Sequence, residues 1–297
     1  MSLAMAATRF ALRLRPSALQ SPEALRQRIS GPRSPAPIPR SISHRYVVDS
    51  QAINGHEVMT VRPRSRAESR AHVLYLHGGS YTSSLVQLHW SIVAALLKRT
   101  ESAVTLPLYP LAPEHTIDDA LPFLDAVTRS LEIPKGKRLL YMGDSAGGGL
   151  ALSYAIRQRD EQLQRQADAI VLFSPWVDVT MQNPDIARYE ADDPILNRQQ
   201  LKTCGTWWAG RREPTDPAVS PLLGNLAGLP PLHVFQGDHD LFLPDVQLLD
   251  RLVRQAGGAS TLTVVPGGFH IYVGAPWIPE ARTSLRMASD VVLSDHR

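Results

Sequence analysis

The chain has 297 residues, 43% of them hydrophobic, and a formal net charge of +3. It is long enough to bury a large core, and no apolar run approaches the roughly 18 residues a membrane-spanning helix requires, so integral membrane association is not expected. The single cysteine, Cys204, excludes an internal disulfide and suits a reducing compartment such as the cytoplasm.

The charge is unevenly placed. Up to Arg70 there are twelve Arg and four acids, giving +8, so the remainder carries −5. An Arg-rich, acid-poor leader suits a nucleic-acid arm or a transit peptide. The segment lacks Lys and interleaved aromatics, which disfavours a nucleic-acid partner. Met1–Arg15 has slight transit-peptide character, and Met1-Ser2-Leu3 carries no signal of its own. Ser21-Pro22-Glu23, however, supplies the cap, first position and acidic first turn of a helix running to about Ile29, as in an ordinary folded N-terminus.

Ser30 to Arg40, rich in Pro, Ser and Arg, reads as an extended linker. Two strands are predicted next, His44–Asp49 and Glu57–Arg62, on either side of the turn signal Asn54-Gly55. From Ala71 the pattern alternates. Strands are predicted at His72–Leu76, Ala103–Leu108, Arg138–Met142, Ala169–Phe173, Leu232–Gln236 and Thr261–Val265. Helices are predicted at Leu85–Arg99, Ile117–Leu131, Ala146–Arg159, Pro244–Ala256 and Pro279–Leu293. Short apolar strands between helices imply an α/β fold with a mostly parallel sheet covered on both faces. The alternation breaks between Pro175 and Pro230, where Trp207 and Trp208 sit among several Pro and no clear strand. We therefore expect a core of residues 41–180 and 229–297, and a small cap from residues 1–40 and 181–228.

The strongest chemical signal is Gly143-Asp144-Ser145-Ala146-Gly147. A Gly-x-Ser-x-Gly match occurs by chance in about one chain in ten of this length, so its setting decides. A buried strand runs in and a helix runs out, as a nucleophile elbow requires. Gly143 and Gly147 are expected because side chains there would collide across the turn, and the helix that follows aims its positive end at Ser145. A phosphate-binding turn is disfavoured: Ser145 occupies the second Gly position of Gly-x-Gly-x-x-Gly, and no Gly-Lys-Ser/Thr follows.

A second signal, His77-Gly78-Gly79-Ser80, ends the strand His72–Leu76. Glycines there let backbone N–H groups approach a developing oxyanion, and Gly78, Gly79 and Ala146 are the expected donors. His77 precedes Ser145 and reads as a loop-fixing residue rather than a base. In the order Ser, acid, His, the later histidines are His233, His239, His270 and His296. His233 lies in an apolar strand and His296 in the tail. His270 follows the last strand in a glycine-rich loop, where a base belongs. Gln236-Gly237-Asp238-His239-Asp240 supplies the acid, with Asp238 and Asp240 competing and Asp240 favoured. Asp-His-Asp without partners at metal-ligand spacing is not read as a metal site.

These stretches, with Tyr109-Pro110-Leu111-Ala112-Pro113-Glu114-His115, Ser174-Pro175-Trp176-Val177-Asp178 and Gly228-Leu229-Pro230-Pro231, resemble the hormone-sensitive-lipase-like esterases over about Ser43 to His270. The resemblance implies an α/β-hydrolase fold with an eight-stranded, mostly parallel sheet and a helical cap. It also implies carboxylic ester hydrolysis without a cofactor or metal, and the triad Ser145, Asp240 and His270. It favours Asp240 through the spacing from Asp240 to Asp245. Two departures stand out: Ser80 replaces the usual third oxyanion-loop glycine, and Pro110 replaces the usual Arg. Neither is expected to abolish activity. Glu114 and Asp178 look structural. Ser80, Tyr81, Trp207 and Trp208 are the candidate substrate-binding residues, although for the two tryptophans the favoured reading is that they anchor the cap to the core. The expected partner is a small ester, and the sequence leaves open whether the chain forms a homodimer. A non-catalytic ligand receptor on the same scaffold is disfavoured because all three triad positions are filled.

Overall fold

The computed structural model describes residues 1–14, 21–64, 70–163 and 165–294. Eight strands form one sheet: β1 (Val47–Ile53), β2 (His56–Arg62), β3 (Ala71–Leu76), β4 (Ala103–Pro107), β5 (Arg138–Asp144), β6 (Ala169–Phe173), β7 (Leu232–Gly237) and β8 (Ser260–Val265). Their order is β1-β2-β4-β3-β5-β6-β7-β8. β2 runs antiparallel to both β1 and β4, and every other pairing is parallel. The helices are α1 (Leu3–Arg13), α2 (Pro22–Ser30), α3 (Arg40–Ser43), α4 (Gln87–Thr100), α5 (Ile117–Ser130), α6 (Ser145–Asp160), α7 (Arg198–Ala209), α8 (Leu243–Gln255) and α9 (Pro279–Leu293).

Strand periodicity explains the layering. Along β3, Leu74 and Leu76 join a core with α5, α6 and α8, whereas Val73 and Tyr75 join a second core with α4 and α9. Both faces of the central strands are covered, so β3, β4, β5 and β6 read as continuous apolar runs with little exposed surface. β1, at the sheet edge, has four consecutive exposed residues.

β1 begins three residues later than the sequence predicts. The His44 N–H donates to the Arg40 carbonyl (3.0 Å) and closes α3, so extended pairing starts only at Val47. The linker before it is pinned to the core, since Ala36 accepts from the Trp90 indole N–H (3.0 Å) and donates to the Leu85 carbonyl (2.7 Å).

The two N-terminal helices dock in different places. Ser2, without a signal in the sequence, caps α1 by accepting from the Met5 N–H, and its N–H and hydroxyl both reach Glu280 on α9. In α2, Ser21 accepts from the Ala24 N–H as its cap, and Arg28 projects toward the end of β3.

Between β6 and β7 lie α7 and two short 3-10 turns, Pro184–Arg188 and Pro221–Leu223. Trp208 on α7 has no exposed surface, whereas Trp207 is only partly buried against the same core. Trp208→Ala is therefore expected to destabilise the fold by about 3–5 kcal/mol in urea denaturation, and Trp207→Ala by much less. Equal effects would contradict this packing.

Candidate active site

β5 ends at Asp144 and α6 begins at Ser145 with no intervening loop. So tight a reversal forces Ser145 to φ 50°, a left-handed backbone that L-residues adopt at a cost. A side chain at Gly147 would run into the carbonyls of Leu76 and His77, and one at Gly143 into the Gly147 carbonyl. The Trp176 N–H donates to the Ser145 carbonyl (2.8 Å), tying the elbow to the loop after β6.

Ser145 Oγ lies 3.0 Å from His270 Nε2, and His270 Nδ1 lies 3.0 Å from Asp240 Oδ2. A carboxylate only accepts, so Nδ1 carries the proton, leaving Nε2 to accept from the Ser145 hydroxyl. Asp240 Oδ1 accepts from the Phe242 N–H (3.0 Å), so both its oxygens are committed. The Phe242 ring stands edge-on to the imidazole at 5.2 Å. Burial alone disfavours the imidazolium of His270, but the charge and hydrogen bond of Asp240, then the charges of Asp193 and Asp144, outweigh it and raise its pKa.

The alternatives separate by geometry. Asp238 Oδ1 accepts from the Gly267 N–H (2.6 Å), bracing the loop that carries His270 rather than touching the ring. His233 is half-buried on β7, and His239 is partly exposed, 3.8 Å from Asp238 and 4.0 Å from Asp192. His296 lies outside the described residues. His77 stacks on Tyr109 (4.5 Å) and its Nδ1 donates to the Gly78 carbonyl (2.8 Å). Burial and then the neighbouring His89 push it down to about 4, so it is neutral and fixes the loop.

The oxyanion loop requires a correction. The Gly78 N–H donates to Asp144 Oδ1 (3.1 Å), so it is spent within the protein. Asp144 also accepts from the Tyr75 hydroxyl (2.6 Å) and faces His89 Nε2 at 3.3 Å. Burial opposes ionisation of Asp144, but His89, Tyr75 and His77 together lower its pKa. Among the described residues, the N–H groups of Gly79, Ser80 and Ala146 have no acceptor. Ser80 and Tyr81 adopt φ 54° and 61°, a region glycine enters more easily, which accounts for the glycine expected at position 80.

Of the two roles read in the sequence for the tryptophans, Trp208 has the contacts of a cap anchor. The rings of Tyr81 and Trp208 are nearly parallel and stacked, 4.2 Å apart, and Tyr81 stacks on Trp176 at 5.4 Å. With at most 1% of their surface exposed, they form a column joining α7 to the core. Ser145 and His270 are themselves 3% and 4% exposed, so the site is closed. Part of the cover is Arg28 of α2, whose guanidinium donates to the Gly79 carbonyl and the Ser83 hydroxyl. Arg33 reaches the Ala112 carbonyl (2.7 Å) and Glu114, giving Glu114 its structural role. Asp178 accepts from the Thr180 N–H (2.8 Å) and the Ser220 hydroxyl (3.2 Å), holding the start of the insertion.

The pattern characteristic of the alpha/beta hydrolase fold matches residues 73–274. The chain belongs to this family. An "Acetyl-hydrolase" of Streptomyces hygroscopicus is 32% identical over 232 residues, covering 77% of this chain and 76% of the relative. An "Esterase" of Acinetobacter venetianus is 28% identical over 244 residues, covering 78% and 76%. Among solved structures, an "Esterase/Lipase from uncultured bacterium" superposes with a TM-score of 0.81 at 26% identity, covering 98% of each chain. In this alpha/beta hydrolase, Ser145, Asp240 and His270 follow the ends of β5, β7 and β8, in the chain order Ser, acid, His of that fold.

Sequence reasoning missed Ser174, Arg28 and Asp193. The Ser174 hydroxyl accepts from the Ile271 N–H (3.1 Å), and Ile271 is held at φ 54°, an unfavourable backbone for a β-branched residue directly after His270. Ser174 opens a motif noted in the sequence, whereas nothing local marks Arg28 or Asp193.

Proposed function

We propose that the protein is a serine carboxylesterase that hydrolyses short- to medium-chain carboxylic esters through an acyl-enzyme on Ser145. The observation that carries this reading is the unbroken relay from Ser145 through His270 to Asp240, with 3.0 Å at each step. His270 Nε2 takes the hydroxyl proton as Ser145 Oγ attacks the ester carbonyl. The N–H groups of Gly79, Ser80 and Ala146 receive the oxyanion, and the imidazolium, balanced by Asp240, protonates the departing alcohol. Water then attacks the acyl-enzyme, giving its proton to His270, and the carboxylic acid leaves as Ser145 is regenerated. Apart from the attacking water and the ester, each step uses side chains and backbone of this chain. Arg28 of α2 sits on the oxyanion loop, bonded to the Gly79 carbonyl and the Ser83 hydroxyl, and must yield for an ester to enter. The single buried Cys204 fits a cytoplasmic setting.

A panel of p-nitrophenyl esters from acetate to palmitate, with one anilide and one lactone of matched size, tests this reading. The highest kcat/KM is expected among the short and medium esters. A preference for the anilide or the lactone would overturn it.

A further inference from the structure

Behind the Asp240 loop lies a second buried carboxylate that the mechanism above does not use. Asp193 belongs to the insertion, between the 3-10 turn Pro184–Arg188 and α7, and is only 9% exposed. Its Oδ1 accepts from the N–H groups of Ile195 and Leu196, each at 2.8 Å. Its Oδ2 reaches across to the N–H of Leu241 at 2.9 Å. The adjacent N–H, that of Phe242, is taken by Asp240 itself. Two carboxylates from distant parts of the chain thus clasp consecutive amides of one loop. The local turn at Ile195 and Leu196 needs only one acceptor oxygen, which Asn or Ser would supply. What calls for a second acceptor oxygen is the Leu241 amide. Burying two like charges side by side is costly unless each does something a neutral group cannot.

We infer that Asp193 is a positioning residue for the triad: it fixes the Asp240 loop from the cap side and adds a second negative charge to the field on His270. The inference rests on the serine-esterase reading. The charged groups acting on His270 come from three elements and are all acids: Asp240 after β7, Asp193 in the insertion and Asp144 at the end of β5. Asp193 in turn faces Asp240 and His270. Burial first, and then the charge of Asp240, pushes the Asp193 carboxyl up to about 6, while His270 and the Leu196 and Ile195 amides hold it down. It is therefore mostly ionised at neutral pH, where its charge favours the imidazolium.

The sign of the effect follows. The acid limb of kcat/KM reports protonation of the free-enzyme base, so removing a negative charge beside His270 must move that limb to lower pH. The test is the pH profile of kcat/KM for p-nitrophenyl butyrate in the full-length wild type, Asp193→Asn and Asp193→Ser. Active sites are counted by labelling with diethyl p-nitrophenyl phosphate. Both variants keep an acceptor for the Ile195 turn and lack the charge. In whichever folds, we expect the limb to move to lower pH and the plateau to fall about tenfold as the acid loop loosens. A limb at the wild-type position in a folded variant would make Asp193 a mere strut and overturn the inference. Failure of the wild type to take the label would instead count against the serine-esterase reading, which keeps the two failures distinct.

Discussion

Ser145→Ala should lower kcat for p-nitrophenyl butyrate by about 10⁵- to 10⁶-fold, the scale seen when the nucleophile of a relay that works as a unit is lost. The size of the effect follows from the division of labour at the site. His270 Nε2, 3.0 Å from the hydroxyl, has no other proton to remove in the attack. Without Oγ, no covalent intermediate forms, and the backbone donors are left to assist only direct attack by water. The fold should survive. The substitution removes one oxygen and keeps the Ser145 backbone atoms, including the carbonyl that accepts from Trp176. Unchanged circular dichroism and urea midpoint would separate chemical loss from unfolding. Near-wild-type turnover in a folded Ser145→Ala protein would reject Ser145 as nucleophile.

Asp240→Asn should lower kcat by about 10⁴-fold, through the tautomer rather than through charge alone. Asp240 has one oxygen on the Phe242 N–H and the other on His270 Nδ1. Asn has a single oxygen, and turning it away from Phe242 would leave a buried amide unsatisfied. The oxygen therefore stays with Phe242, and the NH₂ group faces His270. That arrangement makes Nδ1 an acceptor and moves the proton to Nε2, where it points at Ser145 and blocks the base. Loss of the labelling rate with diethyl p-nitrophenyl phosphate should match the loss in kcat, because both need the same proton transfer. An Asp240→Asn protein that is folded and retains a tenth of the wild-type rate would remove Asp240 from the relay.

Much of this site was legible in the sequence because the residues involved impose local backbone geometry. Gly143 and Gly147 permit a tight turn at Ser145, and the apolar strand before it and the helix pattern after it mark that turn within a few residues. The alternation of apolar strands with amphipathic helices likewise fixed the layers, and His270 could be placed from its position after the last strand. The choice between Asp238 and Asp240 was harder. Two residues apart in one loop, they differ only in what each meets, Gly267 or His270, and both partners lie about thirty positions away in sequence.

The residues that the sequence misjudged or left open share one property: a distant partner decides what each does. Gly78 looked like an oxyanion donor until Asp144 claimed its N–H across a separation of 66 residues. Trp208 read as a cap anchor or a pocket wall, and its face-to-face contact with Tyr81 is that of an anchor. Asp193 was invisible because an acid in a loop without periodicity carries no mark of the amide it will meet 48 residues later. By itself the sequence determined the family, the sheet and helix alternation, the strand-to-helix turn at Ser145 and the loop that carries His270, since chirality, side-chain period and glycine content act within a few residues. Only the tertiary structure decided which amides remain free for an oxyanion, which aromatics are buried and which second carboxylate stands behind the triad. Those outcomes depend on packing between segments that short-range chain geometry does not bring together.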